Sequence, residues 1–351
     1  MEPDKIEPGM LLQNRYRVIK FLGQGGFART FEVDDRATPK VLKVLHCNHP
    51  KAAELFEREA RVLQKLRHPG IPRVEADGYF TFEGAPCLVM EFIEGQNLER
   101  WVEEKGAIAP EVAMEWLKQL VAILKALHEE KYFHRDIKPD NIMRRPNGQL
   151  VLIDFGAVRG ITDTYLAKIS GDRRHTQIGT PGYWSPEQMD GKPLPQSDFF
   201  ALGRTFVHLL TGKNPIDIAS NWETGELLWR GSAPQVSESL ADLIDDLMAI
   251  APGERPQSAT IILQRLTAVS LAKPKLFDKS RIMCQMRRFV VSNKVKLSLA
   301  ASLVLGFTGL NLMSEKIAFE LNEIGYENLE NRNFSTATKF FYWAAKLNPD
   351  L

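Results

Sequence analysis

Hydrophobic and polar positions in the first half of the chain predict a group of strands and two helices. Residues 16–22 alternate between apolar and polar, as a half-buried strand does, and the chain turns at glycines and returns through residue 33. Residues 87–95 indicate a buried strand that ends in a turn. The apolar positions of residues 52–66 and 110–128 recur at helical spacing, which predicts two helices, the second long and largely buried.

One acidic residue interrupts the apolar face of the first helix. Glu59 lies in the middle of that face, whereas the other charged side chains of the helix lie outside it. Because burying an unpaired carboxylate is costly, Glu59 requires a cationic partner if the face is buried. The alternative is a surface glutamate on an irregular helix.

The pattern changes near the C-terminal end, where residues 297–314 carry no charge. A helix that crosses a bilayer needs about 20 apolar residues, with a range of about 17 to 25, so this segment is predicted as a short transmembrane helix. The preceding residues 273–296 are basic and the following ones acidic, which by the positive-inside rule puts the N-terminal side in the cytoplasm. The alternatives are a buried or an interfacial helix, with the whole chain cytoplasmic.

Composition adds limits but no function. With 351 residues, 44% hydrophobic and 25% charged, the chain resembles an ordinary globular protein. The formal net charge of +1 gives no bias towards nucleic acid, and none is expected as a partner. The three cysteines show neither metal-ligand nor disulfide spacing, and the acidic N-terminus lacks the apolar core of a signal peptide. The predicted organisation is an N-terminal extension (1–15), a folded part (16–271), a basic linker (272–296), the apolar segment (297–314) and a tail (318–351).

Two motifs carry the candidate chemistry: residues 134–141, His-Arg-Asp-Ile-Lys-Pro-Asp-Asn, and residues 154–156, Asp-Phe-Gly. Phosphoryl transfer needs an acid that orients the attacking hydroxyl, oxygen ligands for Mg²⁺, and a cation that offsets charge on the transferred phosphate. Asp136 would orient the hydroxyl, and Lys138 would supply the cation. Asn141 and Asp154 would hold the metal. The alternative is a charged turn between strands.

These motifs resemble the H-R-D-x-x-x-x-N and D-F-G loops of eukaryotic-like (Hanks-type) protein kinases. The resemblance implies an α+β fold of two lobes, a small β-rich N-lobe over about residues 16–90 and a large helical C-lobe over about 94–271. It also implies ATP and Mg²⁺, with Mn²⁺ as a second candidate ion. The implied activity is transfer of the γ-phosphate to serine or threonine hydroxyls of protein substrates, as in the bacterial serine/threonine kinases.

The resemblance further implies a nucleotide site. The glycine-rich turn departs from the kinase pattern at Ala28, which replaces the third glycine, and at Thr30, which replaces a valine. Lys43 aligns with the phosphate-anchoring lysine that pairs with a helix glutamate, here Glu59, and Lys40 is the alternative. The residues implied in nucleotide binding are Leu22, Gly23, Gln24, Gly25, Gly26, Phe27, Ala28, Thr30, Val41, Lys43, Met90, Glu91, Ile93 and Asn97.

Downstream residues separate protein kinases from small-molecule phosphotransferases that share an H-x-D loop. Lys138 lies two residues after the candidate base, as in kinases that act on serine and threonine. Residues 179–187 resemble the substrate-positioning loop and its A-P-E end, with Ser185 in place of the alanine. Asp198 matches the aspartate that braces the catalytic loop, and Arg255 matches the arginine that pairs with Glu187.

Regulation is implied by Arg135, because kinases with an arginine before the base commonly use a phosphorylated activation segment to neutralise it. Thr176 is the predicted autophosphorylation site, and Thr180 is a second regulatory candidate. The alternative is that Thr176 is an ordinary solvated loop residue. Asn97 also has two interpretations, a ribose contact or a helix cap.

The tail, residues 318–351, resembles one tetratricopeptide repeat of about 34 residues. A single repeat cannot bury its own face, so the resemblance implies a protein partner or self-association through the tail. The alternative is an amphipathic helical hairpin without repeat ancestry. A binding-class alternative for the whole chain is a pseudokinase scaffold that presents this tail, supported only by Ala28 and Thr30.

Overall fold

A computed structural model describes residues 6–25, 27–46, 50–157, 159–160, 180–222 and 224–271. The chain divides into two units, residues 1–273 and 274–351, and all the described residues belong to the first. The predictions for the linker, the apolar segment, the tail, Gly26 and Thr176 therefore lie outside the described residues. Within the described ranges, no helix combines the length and hydrophobicity that a membrane crossing requires.

The N-lobe is built on a six-stranded antiparallel sheet with the order β1-β2-β3-β4-β6-β5. Its strands are β1 (Leu11–Leu12), β2 (Tyr16–Gln24), β3 (Ala28–Asp35), β4 (Thr38–Leu45), β5 (Tyr79–Phe82) and β6 (Ala85–Glu91). Leu12 is fully buried, so the sheet includes part of the segment predicted as an N-terminal extension.

Helix α1 (Pro50–Lys65) packs on one face of this sheet. Successive side chains of a strand point to opposite faces, which explains how β4 serves two purposes. Leu42 and Val44 fill the core on the other face of the sheet, whereas Lys43 between them reaches Glu59 on α1. The alternation along one strand thereby delivers a lysine to the interior side of the lobe.

The C-lobe is mainly helical. Its helices are α2 (Leu98–Lys105), α3 (Pro110–Glu129), α4 (Pro186–Met189), α5 (Pro195–Thr211), α6 (Glu238–Leu247) and α7 (Ala259–Leu271). Two small antiparallel sheets join β7 (Gln96–Asn97), β9 (Ile142–Arg144) and β10 (Leu150–Leu152), and β8 (Tyr132–Phe133) with β11 (Arg159–Gly160). The α+β arrangement with a β-rich and a helical lobe agrees with the expectation from the motifs.

Helix α5 lies at the centre of the C-lobe, because its side chains are buried on almost every side. Gly203 allows this packing: a Cβ atom there would lie 2.5 Å from Cγ of Met248, at the end of α6. Asp198 near the N-terminus of α5 is also fully buried. A buried carboxylate at this depth must receive several hydrogen bonds, and those bonds position the site.

Candidate active site

Lys43 bridges two carboxylates in the cleft between the lobes. Its Nζ donates to both carboxylate oxygens of Glu59, at 2.8 and 2.9 Å, and to Oδ1 of Asp154 at 2.8 Å. Glu59 is only 2% exposed, so the cation required by the sequence pattern is present and it is Lys43. Lys40, the alternative, lies three residues away on the strand, opposite Glu91.

Neighbouring charges determine the pKa values of Lys43 and Asp154. Burial lowers the pKa of Lys43, but the carboxylates of Asp154 and Glu59 outweigh it and raise that pKa above its ordinary value. The ammonium of Lys43 holds the pKa of Asp154 at about 2, against the opposing effect of burial. Both groups are therefore charged at neutral pH, as a site for phosphates and a metal ion requires.

Asp198 holds the backbone of the catalytic loop, residues 134–141, through hydrogen bonds. Its Oδ2 accepts the N–H of His134 at 2.9 Å, and its Oδ1 accepts the N–H of Arg135 at 2.8 Å. A third bond comes from Nε2 of His128 at 2.8 Å. Arg135 has φ of +73°, a conformation that a non-glycine residue adopts only when its surroundings fix it. The buried carboxylate supplies that restraint.

His134 links the catalytic loop to the segment that contains Asp154. Its Nε2 donates to the carbonyl of Ile153 at 3.2 Å, and its ring packs edge-on against Phe155 at 4.9 Å between centroids. Its Nδ1 accepts the N–H of Asp136 at 3.3 Å, which places the proton on Nε2. Burial lowers the pKa of His134, so the ring is neutral and acts as a structural link.

The candidate base, Asp136, is surrounded by the residues that the sequence predicts. Its Oδ2 accepts Nδ2 of Asn141 at 2.8 Å, and its Oδ1 accepts the hydroxyl of Thr180 at 3.1 Å. Nζ of Lys138 lies 3.5 Å from Oδ2 and donates to the Thr180 hydroxyl at 2.7 Å. Thr180 thus presents a hydroxyl between an acid and a cation, the arrangement that an acceptor hydroxyl needs.

Asn141 and Asp154 form a donor set that fits Mg²⁺ or Mn²⁺. The amide nitrogen of Asn141 donates to the carbonyl and the carboxylate of Asp136, both at 2.8 Å, which leaves its amide oxygen as an available ligand. Asp154 contributes an ionised carboxylate, whose Oδ1 accepts a bond from Lys43. Among the residues that the structure describes, no three His, Cys, Asp or Glu side chains form a metal cluster. Mg²⁺ commonly binds to one or two protein ligands together with substrate phosphates, and Asn141 and Asp154 would supply the protein ligands.

The substrate-loop end is held by Glu187 and Arg255, as the sequence predicts. The guanidinium binds the carboxylate through two bonds of 2.6 and 3.0 Å, and the arginine side chain is fully buried. Burial raises the pKa of Glu187, but hydrogen bonds from Arg255 and Ser197 outweigh it and the pKa is lowered. The pair stays ionised and fixes α4 to the body of the C-lobe.

The described nucleotide-binding candidates lie on strands β2, β3, β4 and β6, in the turn between β2 and β3, and in the segment that follows β6. In the glycine-rich turn, Gly25 N–H donates to the carbonyl of Ala28 at 2.9 Å, which closes the turn between β2 and β3. Leu22 and Phe27 are exposed beside it. The remaining candidates belong to strands that meet in register: Gly23 opposite Thr30, Gln24 opposite Arg29, and Val41 opposite Met90.

Asn97 has the cap interpretation in this structure. It is the N-cap of α2, and its side-chain oxygen accepts the N–H of Arg100 at 2.9 Å. Glu91 and Ile93, the predicted purine-contacting residues, lie at and just after the end of β6. The amide N–H of Glu91 donates to the carbonyl of Arg73 at 2.8 Å.

Sequence reasoning missed several supporting contacts. His128 on Asp198 and Ser197 on Glu187, at 2.8 and 2.5 Å, carry no local sequence signal because each partner lies on another element. Tyr183, whose hydroxyl lies 2.7 Å from Nδ1 of His208, is a third case. These side chains do not contact the reacting groups; they hold the loops that do.

Comparisons with known proteins agree with this geometry. A family model described as the protein kinase domain matches residues 16–266. Serine/threonine-protein kinase C of Synechocystis sp. is 39% identical over 275 residues, which cover 74% of this chain and 51% of that protein. Serine/threonine-protein kinase PknA of Nostoc sp. is 38% identical over 270 residues, covering 73% and 47%. The chain thus spans about half the length of these curated relatives.

Proposed function

The chain belongs to the protein kinase family, and on that premise we propose that it transfers the γ-phosphate of ATP to serine or threonine hydroxyls of protein substrates. The observation that carries the proposal is the placement of one hydroxyl, on Thr180, within hydrogen-bond distance of both Asp136 and Lys138. The same positions suit the hydroxyl of a substrate side chain. The names of the relatives, which are serine/threonine kinases, support the same acceptor class.

Each residue has a separate task in the proposed reaction. Asp136 orients the acceptor hydroxyl and accepts its proton, while Lys138 offsets the negative charge that develops on the transferred group. Lys43, held by Glu59, binds phosphate oxygens. Asn141 and Asp154 would hold the metal, which when bound supplies positive charge to the phosphates. The protein acts mainly by positioning and electrostatics.

Replacing Lys43 tests this assignment, and Lys40 on the same strand provides a matched control. Lys43→Met is expected to lower phosphotransfer from Mg·ATP to casein by at least about 100-fold, because it removes a fixed charge from the phosphate site. Lys40→Met should retain activity within a few-fold. Equal activity of wild type and Lys43→Met would contradict the proposal, as would a wild-type protein without turnover, which is the behaviour of a pseudokinase.

The same reaction addresses regulation. We propose autophosphorylation at Thr176, since it is the closest hydroxyl upstream of the substrate loop. Mass-spectrometric mapping of the active protein is expected to find phosphate on Thr176, and a catalytically inactive chain should lack it. An unmodified segment 161–179 in active protein would contradict this. Thr180 remains the second candidate position, since its hydroxyl contacts both Asp136 and Lys138.

We also propose that residues 297–314 span a membrane and that residues 1–296 lie in the cytoplasm. The tail, residues 318–351, would bind a protein partner or a second copy of the chain. The support is the uncharged segment and its basic and acidic flanks. The chain should sediment with membranes and its tail should be protected from protease added on the cytoplasmic side. An arginine at the centre of a bilayer costs about 2.5 to 3.5 kcal/mol, so Leu303→Arg should release the chain from the membrane fraction. A chain that stays in the supernatant would contradict this.

A further inference from the structure

The side chain of Glu91 joins three separate segments at the connection between the lobes. Its Oε1 accepts Nη2 of Arg145 at 2.7 Å, and its Oε2 accepts the backbone N–H of Arg73 at 3.2 Å. The backbone N–H of Glu91 donates in turn to the carbonyl of Arg73 at 2.8 Å. Both carboxylate oxygens and the amide of one residue are therefore occupied.

The partners of Glu91 belong to different lobes. Arg73 lies in the connection between α1 and β5 of the N-lobe, and Arg145 lies in the tight turn between β9 and β10 of the C-lobe. That turn is fixed by its own bonds, from Arg145 N–H to the carbonyl of Gln149 and from Gly148 N–H to the carbonyl of Arg145, both 2.9 Å. These bonds hold the backbone from which the side chain of Arg145 extends.

The same hairpin also contacts the chain where it enters the C-lobe. Gly95 has φ of +127°, and a Cβ atom there would collide with the carbonyl of Arg144. The connecting segment is thus fixed at Glu91 by an ion pair and at Gly95 by backbone contact. Between these two points lies Ile93, whose backbone groups are among the proposed purine contacts.

An exposed ion pair would have little consequence, since water screens its charges and fixing two long side chains costs entropy. The Glu91–Arg145 pair differs because the side chains are only 32% and 22% exposed and the carboxylate has a second donor. The structure that contains this pair also contains the Lys43–Glu59 pair, so the link is compatible with a site ready for nucleotide.

We propose that Arg145 is a positioning residue for the nucleotide: through Glu91 it holds the segment between the lobes in the conformation that binds the purine. The proposal rests on the proposed function in so far as it takes the ligand to be ATP. Preorganisation of this kind raises affinity by removing the ordering that binding would otherwise require. Arg145 and Glu91 would therefore affect nucleotide affinity and leave the chemical step unchanged.

The test compares Arg145→Met, Glu91→Gln and the double variant in the full chain. Calorimetric titration with Mg·ADP, which needs no phosphotransfer, should give dissociation constants about five- to tenfold higher for each single variant, since each removes a charge-assisted bond. The double variant should bind Mg·ADP no more weakly than the weaker-binding single variant, because both changes break the same link. The KM for ATP should rise by the same factor, with kcat and the KM for casein within about twofold.

Arg100→Met is the matched control, because Arg100 forms a 2.7 Å ion pair with Glu104 on the exposed surface of α2. It should leave the Mg·ADP affinity unchanged. Variants that lose thermal stability but bind Mg·ADP as wild type would overturn the proposal, as would variants whose kcat differs from that of wild type by more than about twofold. A third outcome separates the two proposals: Arg145→Met binds Mg·ADP more weakly than wild type does, but wild type phosphorylates no protein. That result would overturn the proposed activity and support the positioning role.

Discussion

Asp136→Asn is expected to lower phosphotransfer to protein substrate by about 100-fold to 10,000-fold, the range that a general base contributes. Asparagine can still accept the bond from Asn141 and keep the loop in place, but it cannot take a proton from the acceptor hydroxyl. The loss should therefore appear in kcat, with Mg·ADP affinity within about threefold of wild type. Initial rates with labelled ATP and casein provide the measurement.

A neighbouring carboxylate supplies the control for charge. Asp140 lies in the same loop, four residues after Asp136, and its side chain is exposed. Asp140→Asn removes the same unit of negative charge, so a general electrostatic effect on the cleft would lower its rate too. Activity of Asp140→Asn close to wild type, beside a strongly impaired Asp136→Asn, identifies the carboxylate of Asp136 itself. A reduction below about tenfold for Asp136→Asn would contradict the assignment.

The parts of this site that could be predicted from the sequence are those fixed by spacing within one segment. Asp136, Lys138 and Asn141 occupy one tight loop, so their order on the chain determines their arrangement. Glu59 was predictable for a different reason, since a carboxylate on a buried helix face requires a cation. Its pairing with Lys43 follows from the alternation along β4.

The contacts that could not be predicted join elements far apart in the chain. Arg145 on Glu91 spans 54 positions and His128 on Asp198 spans 70, and nothing near either residue indicates its partner. Asn97 could not be decided, because a helix cap and a ribose contact place the same residue at the same position. Tertiary packing, which pattern and propensity do not contain, decides such cases.

Arg255→Ala is expected to lower the free energy of unfolding by about 3–5 kcal/mol, the cost of leaving one partner of a buried ion pair alone. The guanidinium makes five hydrogen bonds, two to Glu187 and one each to the carbonyls of Ala249, Gln196 and Ile250. The variant removes all five bonds, and of the donors described for Glu187 only the hydroxyl of Ser197 remains. Urea unfolding of the full chain, followed by tryptophan fluorescence, measures the loss.

Arg230→Ala is the matched control, since Arg230 binds Asp242 and Asp245 with 46% of its side chain exposed, and its loss should cost about 0–1 kcal/mol.

The pH dependence of the stability difference between Arg255→Ala and wild type separates the contribution of charge from that of packing. The pKa of Glu187 is lowered in the folded protein, so the pair stabilises wild type above the carboxyl's ordinary value of 4.5, and this stabilisation is lost as pH falls through the folded pKa. In Arg255→Ala the stranded carboxylate is neutralised by acid, so the difference from wild type should narrow between about pH 7 and pH 4. A difference that stays constant over that interval would show that the arginine contributes packing and carbonyl bonds alone, and the ionic role assigned to Glu187 would be wrong.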